Sequence, residues 1–281
     1  MECRARGAFR KAHISPMVGD EVEILISDDG KGYIMDIMPR KNKFIRPNVS
    51  NVDLLCVVAA STSPEPDLFV IDKICAVAQY NKADILLIFN KTDLKDVKDM
   101  QSIYNKAGID CVALSASQMQ SGNEEFLSCK QYILDRLKGK VSYFTGASGV
   151  GKTSLINCLF PSLCLETGDL SRKISRGKHT TRQNVLYKID ENTYIGDTPG
   201  FGMLEIAQFN LIPKDKLLES FPDIEKHSHA CRYNDCTHTK ETECSVANAI
   251  LNGDISPCRH QSFVRLYEEL KQIKDWEIKQ E

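Results

Sequence analysis

The eight residues GASGVGKT at positions 146–153 constrain this chain more than any other stretch. Gly146 and Gly151 bracket a loop whose successive backbone N–H groups can wrap a polyphosphate, while Lys152 reaches its terminal groups and the Thr153 hydroxyl holds Mg²⁺. Such a loop works between a β-strand and a helix N-terminus, where the helix dipole favours negative charge. The run KVSYFTG before it and residues 154–160 after it read as that strand and that helix. The contacts expected with a bound nucleotide run from Gly146 through Ser148, Gly149, Val150 and Gly151 to Lys152, Thr153 and Ser154. In most domains of this kind the cradle follows the first strand, yet here it begins only at residue 146. Either a whole domain precedes it, or the domain's parts stand out of their usual order.

At 281 residues the chain is long enough for two or three domains. Its 42% hydrophobic and 26% charged residues are an ordinary globular balance, and no apolar run approaches the length needed to cross a bilayer. The start MECRARGAFRK is basic but has no apolar core behind it, so a cytosolic protein is expected. Eleven cysteines then read as thiols, since the cytosol keeps disulfides reduced and an odd count cannot pair completely. A net charge of −2 means that any nucleic-acid contact must be local.

The first fifty residues read as short strands and turns, with GDEVEIL and YIMDIMPR flanking SDDGKG. Asp29-Gly30 and Gly32 are the expected positive-φ positions of that turn. A small OB-like β-barrel over residues 1–51 fits this texture. Arg4, Arg6, Arg10 and Lys11, then Arg40, Lys41, Lys43 and Arg46 around Phe44, could contact nucleic acid or serve as solvated surface. From residue 52 buried strands alternate with amphipathic helices, the mark of a parallel sheet covered on both faces, here expected over 52–205.

The strand ending at Asn90 runs into NKTD. An aspartate there can accept from both the ring N–H and the exocyclic amine of guanine, a pair that adenine does not offer. Asp93 is thus the expected base reader, with Asn90 bracing the loop, Lys91 along the ring face, and an N–H near Ser115 and Ala116 against the guanine oxygen. A turn rich in Asn, Lys and Asp is the plain alternative. Downstream, DTPGF places Asp197 to hold Mg²⁺ through water and the Gly200 N–H to sense a γ-phosphate. The polar stretch SRKISRGKHTTRQN between them could supply a threonine to Mg²⁺ when the γ-phosphate is present. Base-reading elements precede phosphate elements, so the domain is read as circularly permuted.

Cys231, Cys236, His238 and Cys244 fall within fourteen residues of CRYNDCTHTKETEC. Three thiolates and one imidazole can close a tetrahedral, structural zinc site. Cys258, His227, His229 and His260 are rival ligands. Residues 206–281 then read as a zinc-bearing helical module, whose last helix carries an apolar stripe at 263, 266, 267, 270 and 273.

The order NKTD, SA, GASGVGKT, HTTR and DTPGF, with a β-barrel in front and a Cys/His cluster behind, resembles the ribosome small-subunit-dependent GTPases. That resemblance spans nearly the whole chain. It implies GTP hydrolysis with Mg²⁺, stimulated by the small ribosomal subunit and coupled to that subunit's late maturation, with its rRNA as a partner. It implies one structural Zn²⁺ and a monomer with no membrane contact. It makes Thr181 the switch ligand of Mg²⁺, and Lys152 and Gly200 parts of the catalytic apparatus. Phe201 stands where many GTPases carry a water-orienting glutamine, and a phenyl ring cannot orient water by hydrogen bonding. His179 is the residue that the resemblance offers instead; otherwise it is an exposed loop histidine.

Overall fold

The computed structural model describes residues 2–5, 7, 9, 14–28, 30–45, 48–165, 185–197 and 212–272. The N-terminal strands are β1 (Cys3–Ala5), β2 (Val22–Ile26), β3 (Gly32–Ile37), β4 (Lys43–Phe44) and β5 (Val49–Ser50). β2 and β3 pair antiparallel, and β1 adds to β3 in parallel, giving the order β1-β3-β2; β4 and β5 form a separate ribbon. Gly30 takes φ +76°, as its turn requires, whereas Gly32 opens β3 instead of serving the turn. Gly7 and Phe9 take helical backbone conformation, which a reading of this region as strands and turns does not anticipate.

A six-stranded sheet follows: β6 (Leu54–Ala60), β7 (Asp84–Asn90), β8 (Asp110–Ala113), β9 (Val141–Thr145), β10 (Val185–Lys188) and β11 (Tyr194–Asp197), in the order β10-β11-β9-β6-β7-β8. Only the β10–β11 pair is antiparallel. β6, LLCVVAA, is buried along its whole length because it lies between two strands and under helices on both faces. Its period of two divides the cores: Leu55, Val57 and Ala59 enter one cluster, and Leu54, Cys56, Val58 and Ala60 the other.

Helices α1 (Leu68–Tyr80) and α2 (Lys98–Lys106) cover the first face; α3 (Ala116–Gln120), α4 (Leu127–Leu137) and α5 (Lys152–Leu159) cover the second. Asp67 starts α1 by accepting the Val70 N–H at 3.3 Å. From β6 the chain runs outward through β7 and β8, then returns to β9 on the other side of β6. That reversal opens a crevice at the carboxyl ends of β6, β7 and β9, the usual ligand position in such sheets.

The remaining α-helices named among the described residues are α6 (Pro222–Glu225), α7 (Ser245–Leu251) and α8 (Pro257–Lys271). Phe221, Ile224, Val246, Phe263, Leu266 and Leu270 join the same apolar cluster as α1. The stripe on α8 therefore packs on this protein's own sheet domain, its expected Ile273 lying outside the described residues. Among the described residues no helix is long and apolar enough to cross a membrane.

Candidate functional site

The cradle follows β9 directly. Gly146 has φ +153°, and a Cβ there would stand 2.2 Å from the Val58 carbonyl oxygen, so only glycine lets the turn leave the sheet. Gly151, at φ +91°, caps α5; a Cβ there would lie 2.3 Å from Asn90 Nδ2. Lys152 Nζ donates to Gly146 O at 3.0 Å, arching over the loop. Val150 is buried, Thr153 lies in the first turn of α5, and Ser148, Gly149 and Ser154 are exposed.

Asn90 ends β7 and is buried. Its Nδ2 donates to Val150 O at 2.8 Å, and its Oδ1 accepts the Ala116 N–H at 2.9 Å. One carboxamide thus ties the loop after β7 to the cradle and to the loop after β8. The Ala116 N–H is engaged by Asn90 here, so a guanine oxygen would have to share it. Ser115 caps α3 and is buried, its hydroxyl 3.0 Å from that of Ser117. Lys91 takes φ +63°, its Nζ donating to Ser63 O at 2.6 Å. Asp93 is exposed in the turn that the Leu94 N–H closes onto Lys91 O at 2.9 Å.

Asp197 ends β11 opposite Phe144, two positions before Gly146, so its backbone flanks the cradle. His179, Thr181, Gly200 and Phe201 lie outside the described residues, as do Arg6, Arg10, Lys11 and Arg46 of the basic clusters.

The second assembly is the Cys/His cluster. His238 Nδ1 lies 3.4 Å from Cys231 Sγ, 3.4 Å from Cys236 Sγ and 3.5 Å from Cys244 Sγ, and the sulfurs of Cys231 and Cys244 are 3.8 Å apart. Tetrahedral Zn–S and Zn–N bonds of about 2.3 and 2.0 Å require edges of about 3.8 Å between sulfurs and about 3.5 Å from sulfur to nitrogen. The donor set fits such an ion. Burial lowers the His238 pKa and favours the neutral, ligating imidazole. Burial raises the Cys231 thiol, but hydrogen bonds from Ser245, Cys236 and Cys244 together outweigh it and lower the pKa, the Ser245 hydroxyl lying 3.0 Å and its N–H 3.4 Å from the sulfur. Of the rivals, Cys258 is exposed and outside the cluster, while His260 Nε2 bonds the His238 carbonyl at 2.6 Å. That contact and the Ser245 support had no spacing signal in the sequence.

A largely parallel sheet in which β6, β7 and β8 precede the strand that feeds the glycine cradle defines the class: a circularly permuted P-loop GTPase. The family model described as RsgA GTPase matches residues 37–207, and that described as RsgA N-terminal domain matches residues 1–34. The chain belongs to the RsgA GTPase family and is a GTP hydrolase. It is 41% identical to the small ribosomal subunit biogenesis GTPase RsgA of Caldanaerobacter subterraneus subsp. tengcongensis, an alignment covering 97% of this chain and 89% of the relative. The protein of the same name from Agathobacter rectalis is 39% identical, over 96% of this chain and 87% of its own length. Among solved structures, YjeQ from Thermotoga maritima superposes with a TM-score of 0.79 at 32% identity, covering 97% of this chain and 90% of that one. YloQ, described as a circularly permuted GTPase, gives a TM-score of 0.73 at 29% identity, over 97% and 86%.

Proposed function

We propose that this GTPase acts in maturation of the small ribosomal subunit, binding the subunit with GTP and leaving it after hydrolysis. The observation that carries the nucleotide half is Asn90, whose carboxamide bonds Val150 of the cradle and Ala116 of the neighbouring loop at once. The subunit half rests on relatives named for small ribosomal subunit biogenesis at 41% and 39% identity along most of the chain.

In this reading Asp93 accepts from guanine and Lys91 lies along the ring. The N–H groups from Gly146 to Thr153, with Ser154 beside them, surround the phosphates. Lys152 would carry the β- and γ-phosphate charge; Thr153 and, with GTP bound, Thr181 would hold Mg²⁺, with Asp197 reaching it through water. The metal supplies neutralisation of charge on the transferring phosphoryl group. Gly200 would sense the γ-phosphate, and His179 would orient the attacking water where Phe201 cannot. Cys231, Cys236, His238 and Cys244 would hold one structural Zn²⁺, four protein ligands leaving no open position. The N-terminal strands would belong to an OB-like barrel over residues 1–51 that, with the module over 206–281, grips rRNA through salt-sensitive phosphate contacts, the GTPase domain spanning 52–205. The working protein would be a cytoplasmic monomer.

The test is GTP hydrolysis by the purified protein with and without small ribosomal subunits, with ATP and large subunits as controls. A slow basal rate raised many-fold only by small subunits, and only with GTP, is expected. A rate that small subunits leave unchanged would refute the subunit-coupled reading.

A further inference from the structure

The loop from β6 to α1, residues 61–66, meets the base-side loop at several points. Ser61 is fully buried; its N–H donates to Asn90 O at 2.8 Å and its hydroxyl donates to Lys91 O at 2.5 Å. Lys91 returns the contact through Nζ to Ser63 O. Farther out, Glu65 accepts from Thr62 Oγ1 at 2.9 Å and pairs with Lys95 at 3.2 Å, beyond the other side of Asp93. The same loop also reaches the cradle, because a Cβ on Gly149 would meet Pro64 Cδ at 3.9 Å.

Lys91 needs this support. A lysine at φ +63° is in the left-handed region that side chains with a Cβ disfavour. Its carbonyl accepts both the Leu94 N–H, which turns the chain toward Asp93, and the Ser61 hydroxyl. The first bond is local and forms wherever the turn forms. The second comes from thirty residues away and anchors the turn to the end of the sheet.

We infer that Ser61 is a positioning residue of the guanine site: its hydroxyl holds Lys91 in the left-handed conformation that aims Asp93 at the base edge, and so sets guanine selectivity and nucleotide retention. The inference rests on the base-reading role proposed for Asp93. Ser61 touches no nucleotide atom in this role. Its hydroxyl is also separable from the fold. In Ser61→Ala the Lys91 carbonyl keeps the Leu94 N–H and Asn90 O keeps the residue 61 N–H, so no buried backbone group is orphaned.

The experiment compares wild type, Ser61→Ala and Ser61→Thr for binding of GDP and IDP, which lacks the exocyclic amine, alongside basal GTP turnover and thermal melting. Ser61→Ala should weaken GDP binding about three- to tenfold, as expected for one lost hydrogen bond. It should also narrow the GDP-to-IDP preference while leaving kcat at saturating GTP and the melting temperature near wild type. Ser61→Thr, which keeps the hydroxyl, should restore both affinity and preference. Unchanged GDP affinity and preference in Ser61→Ala, or a Ser61→Thr protein that folds but is as weak as Ser61→Ala, would overturn the inference. Wild-type protein that binds IDP as tightly as GDP would overturn the guanine reading and this inference together.

Discussion

Asp20 receives Arg40 Nε at 2.7 Å, Arg40 Nη2 at 2.8 Å, Ser50 Oγ at 2.6 Å and the Met17 N–H at 2.7 Å, with its side chain only 2% exposed. Burial pushes the carboxyl pKa up, but the bonds from Arg40, Ser50 and Met17 outweigh it and hold it below 3.8. A depressed carboxylate contributes stability that is present above the unfolded value and is lost as pH falls through the folded one. Asp20→Asn should therefore be less stable than wild type at pH 7, by about 1.5 to 3 kcal/mol for the lost charged hydrogen bonds. The gap should shrink as pH drops below 3.8. Urea unfolding across a pH series checks this; a gap independent of pH would contradict it. Neither Arg40 nor Ser50 is marked as a partner of Asp20 by the sequence, since they stand twenty and thirty positions away. Asn90 and Lys91, by contrast, stand side by side in NKTD, so the base-reading role proposed for that loop is legible from adjacent residues.

Helix α8 joins the C-terminal module to the sheet domain. Arg259, buried near its start, donates from Nη1 to Asp72 of α1 at 2.8 Å and from Nη2 to Asp223 of α6 at 2.8 Å, with its guanidinium 4.7 Å from the Phe221 ring centre. Burial disfavours its charge, but the two carboxylates more than compensate and keep it cationic. One residue on, His260 holds the His238 carbonyl, and His238 sits at φ +58°. Two adjacent residues of one helix thus fasten α1 and the Cys/His loop. Arg259→Ala would strand two buried carboxylates and should cost about 3 to 5 kcal/mol. Arg259→Met keeps the bulk but not the charge, so it should be destabilised as well. Guanidinium unfolding of both variants is the measurement, and a loss below 1 kcal/mol in both would show the triad to be neutral. The periodicity of α8 makes its apolar face legible, whereas Arg259 reads as an ordinary exposed charge until the fold brings Asp72 and Asp223 to it.

At the scale of the whole molecule, the sheet has two apolar faces, and the first is completed by residues from 212 to 270. The Cys/His module is therefore part of the nucleotide domain's core. With zinc held as proposed, a chelator should release one zinc per chain and lower the melting temperature of the entire protein, read by zinc-sensitive dye and calorimetry on one sample. Release of zinc with an unshifted transition would mean that the module unfolds independently.

The motifs are readable without a structure because the chemistry each is suited to needs only a few neighbouring positions: a glycine-bracketed loop, an aspartate-bearing turn, and three cysteines with a histidine in fourteen residues. The alternation of buried strands and helices likewise exposes a parallel sheet, and the order of the motifs exposes its permutation. Tertiary structure alone decided which distant groups stabilise those motifs: Ser61 behind Lys91, Asn90 between two loops, His260 behind His238, and Arg259 between two carboxylates. Hydrogen bonds and buried ion pairs form between groups that folding brings within about 3 Å of each other, whatever their separation along the chain. Sequence spacing carries no record of that proximity.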